Sequence, residues 1–196
     1  MKGLEEARKF YEEAGAEMIS RNFGDFENRI AVGLVGHGSE CFGFDDQTSR
    51  DHDFETGFCL WLTKEDEEKI GFYLMRAYDK LKAEYALKNG VDNAHSSVES
   101  STFKGVFTID DFYRRYTGSD GAPTGWQEWL YTDSFYFAEA TNGEVFRDDL
   151  GEFTKIRNEI LNGMPEDVRI KKIGSCALRA AQSGQYNYAR CIKHGE

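Results

Sequence analysis

One stretch of the chain carries residues whose types and spacing could do chemistry: VGHGSECFGFDDQTSRDHDF, residues 35–54. Its second half ends in Asp51-His52-Asp53-Phe54. On a β-strand, residues two apart point to the same face. Asp51 and Asp53 are therefore expected to project together, with His52 and Phe54 on the other side. Two adjacent carboxylates repel unless a cation sits between them. A hard ion with oxygen ligands, Mg²⁺ or Mn²⁺, suits such a pair best. Alone, an acid-x-acid pair is more often two exposed acids on an edge strand, so its weight comes from its company.

The first half supplies that company. Gly38-Ser39 follows the uncharged run IAVGLVG, residues 30–36, which reads as a buried strand. A Gly at a strand end lets a ligand approach the backbone, and small residues leave N–H groups pointing outward. Such a turn cradles phosphate when it leads into a helix. It is not a P-loop: Gly33 and Gly38 have the spacing, but Ser39 stands where Lys belongs. Nor is it a dinucleotide fingerprint, because Cys41 occupies the third-Gly position after Gly36 and Gly38.

The elements that must position these residues can be read along the chain. Leu4, Ala7, Tyr11, Ala14 and Met18 form one apolar face of an N-terminal helix. Residues 51–62 read as a second strand with a break at Gly57. Thr63 with Asp66 resembles a capping box and opens a helix whose apolar face is Ile70, Leu74, Ala77, Tyr78, Leu81 and Tyr85. Residues 89–102 read as a polar, Ser-rich loop. GVFTI, 105–109, is a third strand, followed by a short helix over 110–117. Residues 126–140 are aromatic and helical, with Trp126, Trp129 and Phe135 expected in the core. Asn142-Gly143 is a turn before the short strand EVF. From Asp149 onward the pattern is helical, interrupted near Gly163–Pro165 and at Gly184.

A strand ending in Gly-Ser, an eleven-residue spacer from Glu40 to Arg50, then acid-x-acid and an apolar residue resembles the nucleotidyltransferase superfamily, the DNA polymerase β-like enzymes. Gly43 matches the second Gly of the GSxxxG form. His52 departs from the usual apolar residue between the acids, on the face away from the metals. With the runs TNGEVFRDDLGEF (141–153) and AQSGQYNYARC (181–191), the chain looks like a bacterial domain-of-unknown-function branch of that superfamily whose acceptor is not established. Compared members continue past GQYNYARC into a further helical region. A C-terminal helical portion is therefore expected beyond Glu196.

The resemblance implies an α/β (α+β) fold: a small mixed β-sheet core with flanking helices over residues 1–153, and a short helical appendage over 154–196. It implies metal-dependent transfer of a nucleotidyl group from an NTP, with ATP the expected donor, to a hydroxyl of a small-molecule or protein acceptor. Asp51 and Asp53 would be the ligands of Mg²⁺ or Mn²⁺, and Gly38 and Ser39 would hold the β/γ-phosphates. Arg50 is placed to contact a phosphate, or to pair with Asp45 or Asp46, which is the plainer reading. The superfamily also implies a third carboxylate on the next strand. GVFTI has none. Asp110 and Asp111, just past its end, and Asp148, after EVF, are the candidates; the first two would equally cap a helix, and Asp148 would equally serve a turn. A non-catalytic nucleotide-binding or regulatory module is the first alternative function. An antitoxin-like partner protein is the second.

Composition narrows the partners. The chain has 196 residues, 40% of them hydrophobic, enough for one core with a small appendage. With 24 basic against 35 acidic residues the net charge is −11, which disfavours duplex DNA and anionic membranes as partners. The charge is uneven: residues 155–196 hold 8 Lys+Arg and 4 Asp+Glu. Gln185, Tyr186, Asn187 and Arg190 in that basic tail suit either a base or acceptor contact or a packed helix face. No apolar run is long enough to span a membrane, and the N-terminus lacks the apolar stretch of a signal peptide. The cytoplasm is the expected compartment. Cys41, Cys59, Cys176 and Cys191 form no C-x-x-C pair, and the four His show no zinc spacing, so the cysteines are expected to be small core residues.

Overall fold

The computed structural model describes residues 3–45, 57–89 and 103–194. Two helices, α1 (Gly3–Phe10) and α2 (Ala16–Asn22), are joined by a π-helical turn, Tyr11–Gly15. Their apolar face, with Phe10, Tyr11, Met18 and Ile19 buried, is the one that the three-and-four spacing predicts. Strand β1 is Ala31–Leu34, and a single helical turn, α3 (Ser39–Phe42), follows it. Strand β2 is Cys59–Leu62. Thr63 then caps α4 (Lys64–Asp66) by accepting from the Asp66 N–H, as its spacing predicts. The helix continues through a π-helical turn into α5, Phe72–Asn89.

The second half supplies β3 (Val106–Thr108), α6 (Ile109–Thr117), α7 (Trp126–Tyr131), α8 (Ser134–Thr141) and β4 (Glu144–Arg147). Three further helices complete it: α9 (Glu152–Asn162), α10 (Glu166–Ser183) and α11 (Ala189–His194).

The fold is α+β, a four-stranded mixed sheet in the order β3-β2-β1-β4 with helices on both faces. β1 runs antiparallel to β2 and β4, while β2 and β3 are parallel. Every residue of β1 and β2 is buried, as expected of central strands covered on both sides. Alternation along β2 divides the core. Phe58, Leu60 and Leu62 pack with the N-terminal helices and α5, while Cys59 and Trp61 pack with α6, Trp129, Phe137 and Phe153. Trp61 stacks on Phe153 at 3.9 Å between ring centroids. Trp129 is buried as expected. Trp126 and Phe135 are not: they are 53% and 55% exposed, because the helical run breaks between Tyr131 and Ser134 and the two flanking segments turn different faces inward.

Strand directions give the sheet two distinct ends. At one end lie the C-terminus of β1 and the N-termini of β2, β3 and β4; we call it the turn end. At the other lie the C-termini of β2, β3 and β4. This division decides which sequence-predicted residues can meet.

The tail is less enclosed than its periodicity suggests. In α10 only Val168 is buried, and Ile170, Ile173, Leu178, Tyr186, Tyr188 and Ile192 are exposed. Gln185, Asn187 and Arg190 are exposed too, so this patch is not a packed face among the described residues. Cys41 and Cys59 are the small core residues expected, but Cys176 and Cys191 are exposed on the tail. No described helix is long and apolar enough to cross a membrane.

Candidate functional site

Gly38-Ser39 sits where the sequence places it, at the C-terminal end of β1 leading into a helix. The backbone there requires glycine. Gly36 and Gly38 have φ of 124° and 122°, a region that side chains rarely adopt. Space is short as well: a Cβ at Gly36 would lie 2.6 Å from the Tyr116 hydroxyl oxygen. Gly43 ends α3 in the left-handed conformation at φ 71°. The GSxxxG spacing is thus the length of one helical turn with a glycine at each end. Four residues carry little macrodipole, so phosphate binding here would rest on turn N–H groups and nearby side chains.

A distant segment clamps the turn. Asn142 accepts from the Gly36 N–H through Oδ1 and donates through Nδ2 to the Gly36 carbonyl, both at 2.8 Å. Gly143 donates to the Cys41 carbonyl at 2.9 Å. It does so at φ 58°, so close under β1 that a Cβ would fall 2.0 Å from the Leu34 carbonyl oxygen. The Asn-Gly pair that reads as a simple turn is also the support of the Gly-Ser loop.

Two carboxylates flank the turn, and sequence reasoning singled out neither. Glu40 folds back over Gly38, and its Oε1 lies 2.8 Å from Lys104 Nζ; the two side chains are 11% and 7% exposed. Glu139, on α8, is 5% exposed, and its Oε1 lies 2.7 Å from His37 Nδ1. The only sequence signal for these residues is topological. Lys104 lies two residues before β3, and Glu139 lies one helical turn before Asn142, so both reach the turn end. The third strand, on which the resemblance implies a carboxylate, has no acid, and Lys104 lies two residues before its start.

The thiols and phenols nearby are neutral across the physiological range. Burial pushes the Cys59 thiol up to about 11. Burial likewise raises Cys41 and Tyr116 well above their ordinary values.

The predicted residues divide as follows. Asp51, Asp53 and Arg50 lie outside the described residues. Asp110, Asp111 and Asp148 are described, and all three lie at the end of the sheet opposite the turn. Asp110 pairs with Lys64 at 2.9 Å, just past the C-terminus of β2. Asp111 pairs with Arg114 in the first turn of α6. That helix is capped by Thr108, which accepts from the Asp111 N–H, so the Asp pair is not itself the cap. Asp148 accepts from the N–H groups of Gly151 and Thr154 and so anchors the start of α9. A strand length, about 10 Å, separates the two ends. The physical reason is strand direction: an acid just after β3 or β4 lies at their C-termini, whereas Gly38-Ser39 faces their N-termini. None of these three aspartates meets the turn.

Among the described residues no group of three or more His, Cys, Asp or Glu is arranged to hold a metal ion. Glu40 and Glu139 already have partners.

Comparison with known proteins adds one local match. The model of a family described as Domain of unknown function (DUF4037) matches residues 129–196, from Trp129 in α7 to the C-terminus. No curated protein and no solved structure matches the chain.

Proposed function

We propose that this chain binds the triphosphate of a nucleotide, with Mg²⁺ or Mn²⁺, against the Gly36–Ser39 turn, and that it transfers the nucleotidyl group to a hydroxyl acceptor. The observation that carries this reading is the shared end of the sheet. β2 is entered from the same end that displays Gly38-Ser39, since Gly33 pairs with Cys59 in an antiparallel ladder. Asp53 precedes Gly57 by four residues, a tether of at most about 14 Å. Gly36 and Gly38 keep side chains out of the cradle, and Lys104 places a buried cation beside it. Asp51 and Asp53 would hold the metal, which when bound would neutralise the triphosphate and favour attack by the acceptor hydroxyl. ATP is the proposed donor, and the cytoplasm is the compartment such a substrate implies.

The non-catalytic reading has one observation in its favour: Asp110, Asp111 and Asp148 are all at the wrong end to complete a three-carboxylate site. The partner-protein reading draws on the exposed apolar residues of α10 and α11, since contiguous exposed apolar surface marks interaction sites. Turnover separates these readings. With Mg²⁺, labelled ATP and acceptor-containing extract, the transferase reading expects pyrophosphate release that Asp51→Ala removes. Nucleotide binding without release supports the binding module. No binding at all supports the partner protein.

A further inference from the structure

The pair His37–Glu139 has no role in the reading above, yet it borders the cradle. Glu139 is fixed inside the protein on α8, one turn before the Asn142 clamp. Its carboxylate engages His37 Nδ1 at 2.7 Å, and the imidazole packs against Phe103 at 4.7 Å between ring centroids. The ring is thus held on two sides while its side chain remains 57% exposed. Nε2, on the opposite edge from Nδ1, has no partner among the described residues. His37 is the residue directly before Gly38-Ser39.

A carboxylate on Nδ1 fixes the ring orientation and turns Nε2 away from Glu139, where, when protonated, it is a donor. An exposed surface histidine needs no such buried partner, and a buried carboxylate is costly unless it is paired. We propose that His37, oriented by Glu139, donates from Nε2 to the β/γ-phosphate oxygens of the bound nucleotide. This rests on the nucleotide-binding reading above. His37 is the contact; Glu139 is a positioning residue.

Other charged and titratable groups lie about the turn among the described residues: Glu139 on α8, Glu40 on α3 and Lys104 two residues before β3. Cys41 donates to the His37 carbonyl at 3.7 Å. Tyr116 lies under Gly36, and Arg115 packs over Phe103. Burial holds Cys41 and Tyr116 neutral.

The test is calorimetric binding of Mg²⁺ with a non-hydrolysable ATP analogue, and separately of AMP, at pH 6. Wild type, His37→Gln, Glu139→Gln and Asp53→Asn are compared. His37→Gln is expected to weaken triphosphate binding about tenfold and to leave AMP binding unchanged. Glu139→Gln should move affinity the same way with His37 still present. If His37→Gln binds the analogue like wild type, the inference falls while nucleotide binding stands. If wild type does not bind the analogue, or Asp53→Asn binds it equally, the functional reading falls and takes this one with it. Because His37 is largely exposed, its variant should fold even if Glu139→Gln does not.

Discussion

Asn142→Ala should show how firmly the Gly-Ser loop is built. The side chain makes two hydrogen bonds of 2.8 Å, one to each backbone group of Gly36. Gly36 is buried, so truncation leaves an N–H and a C=O without partners and out of reach of bulk water. Each unsatisfied group costs about 1–1.5 kcal/mol in such a setting, for a total of about 2–3 kcal/mol. In a chain of this size that lowers Tm by about 5–10 °C. Circular dichroism melts and urea titrations measure it. The urea midpoint should fall with m unchanged, since the change loosens one loop and not the denatured state. Asn162→Ala is the control: its Nδ2 donates to the Asn158 carbonyl on an exposed helix surface. It should cost less than about 1 kcal/mol. Asn142→Asp should be worse than Ala, because a carboxylate would face the Gly36 carbonyl at the position of the lost Nδ2. A loss below about 0.5 kcal/mol for Asn142→Ala would show that the turn does not depend on the clamp.

Three further outcomes follow from the same packing. Lys104→Met leaves Glu40 buried without its cation and should cost about 3 kcal/mol in urea denaturation, most of it recovered when Glu40→Gln is added. On the alkaline side, the Cys59 thiol rises from an ordinary value of 9.0 to about 11 by burial. Its contribution is intact below pH 9 and is lost as pH climbs toward 11, so Cys59→Ala should flatten that limb of a stability-versus-pH curve. On the acid side, hydrogen bonds from Arg147, from Arg114 and from the Thr124 and Gly125 backbone lower Glu27, Asp120 and Glu128. Stability from these three is present above the ordinary carboxylate range, about 4, and is lost as pH falls through their lowered values. Urea midpoints between pH 5 and 3 should therefore decline.

Much of the fold is legible in local pattern. The N-terminal helix, the buried β1, the Thr63 cap and the α5 face all follow from spacing and capping chemistry. The Gly-Ser turn is legible too, since glycine at Gly36 and Gly38 answers a backbone that other residues rarely adopt. What local pattern does not carry is strand direction. GVFTI followed by Asp110-Asp111 reads the same whether its C-terminus faces the turn or points away, and pairing parallel to β2 sends both acids to the opposite end. Asp148 is misplaced for the same reason. Asn142 could be read as a turn residue but not as the clamp of a loop 106 positions earlier. Glu139 and Lys104 carry no motif; only the topology brings them beside Gly38. The exposure of Trp126 and Phe135 reflects a helix break at Thr132–Asp133 that a single aromatic periodicity conceals.

If the turn end of the sheet takes a metal-bound nucleoside triphosphate, with Asp51 and Asp53 as the metal ligands, Mg²⁺ with a non-hydrolysable ATP analogue should raise the melting temperature. At a ligand concentration about a hundredfold above Kd, binding stabilises the folded state by about 2.7 kcal/mol, a rise of roughly 5–10 °C in Tm. That shift is expected in wild type and in Asp110→Asn, whose carboxylate belongs to the far end, and its loss is expected in Asp53→Asn and when Mg²⁺ is omitted. An equal shift in wild type and Asp53→Asn, or a shift that disappears in Asp110→Asn, would contradict it.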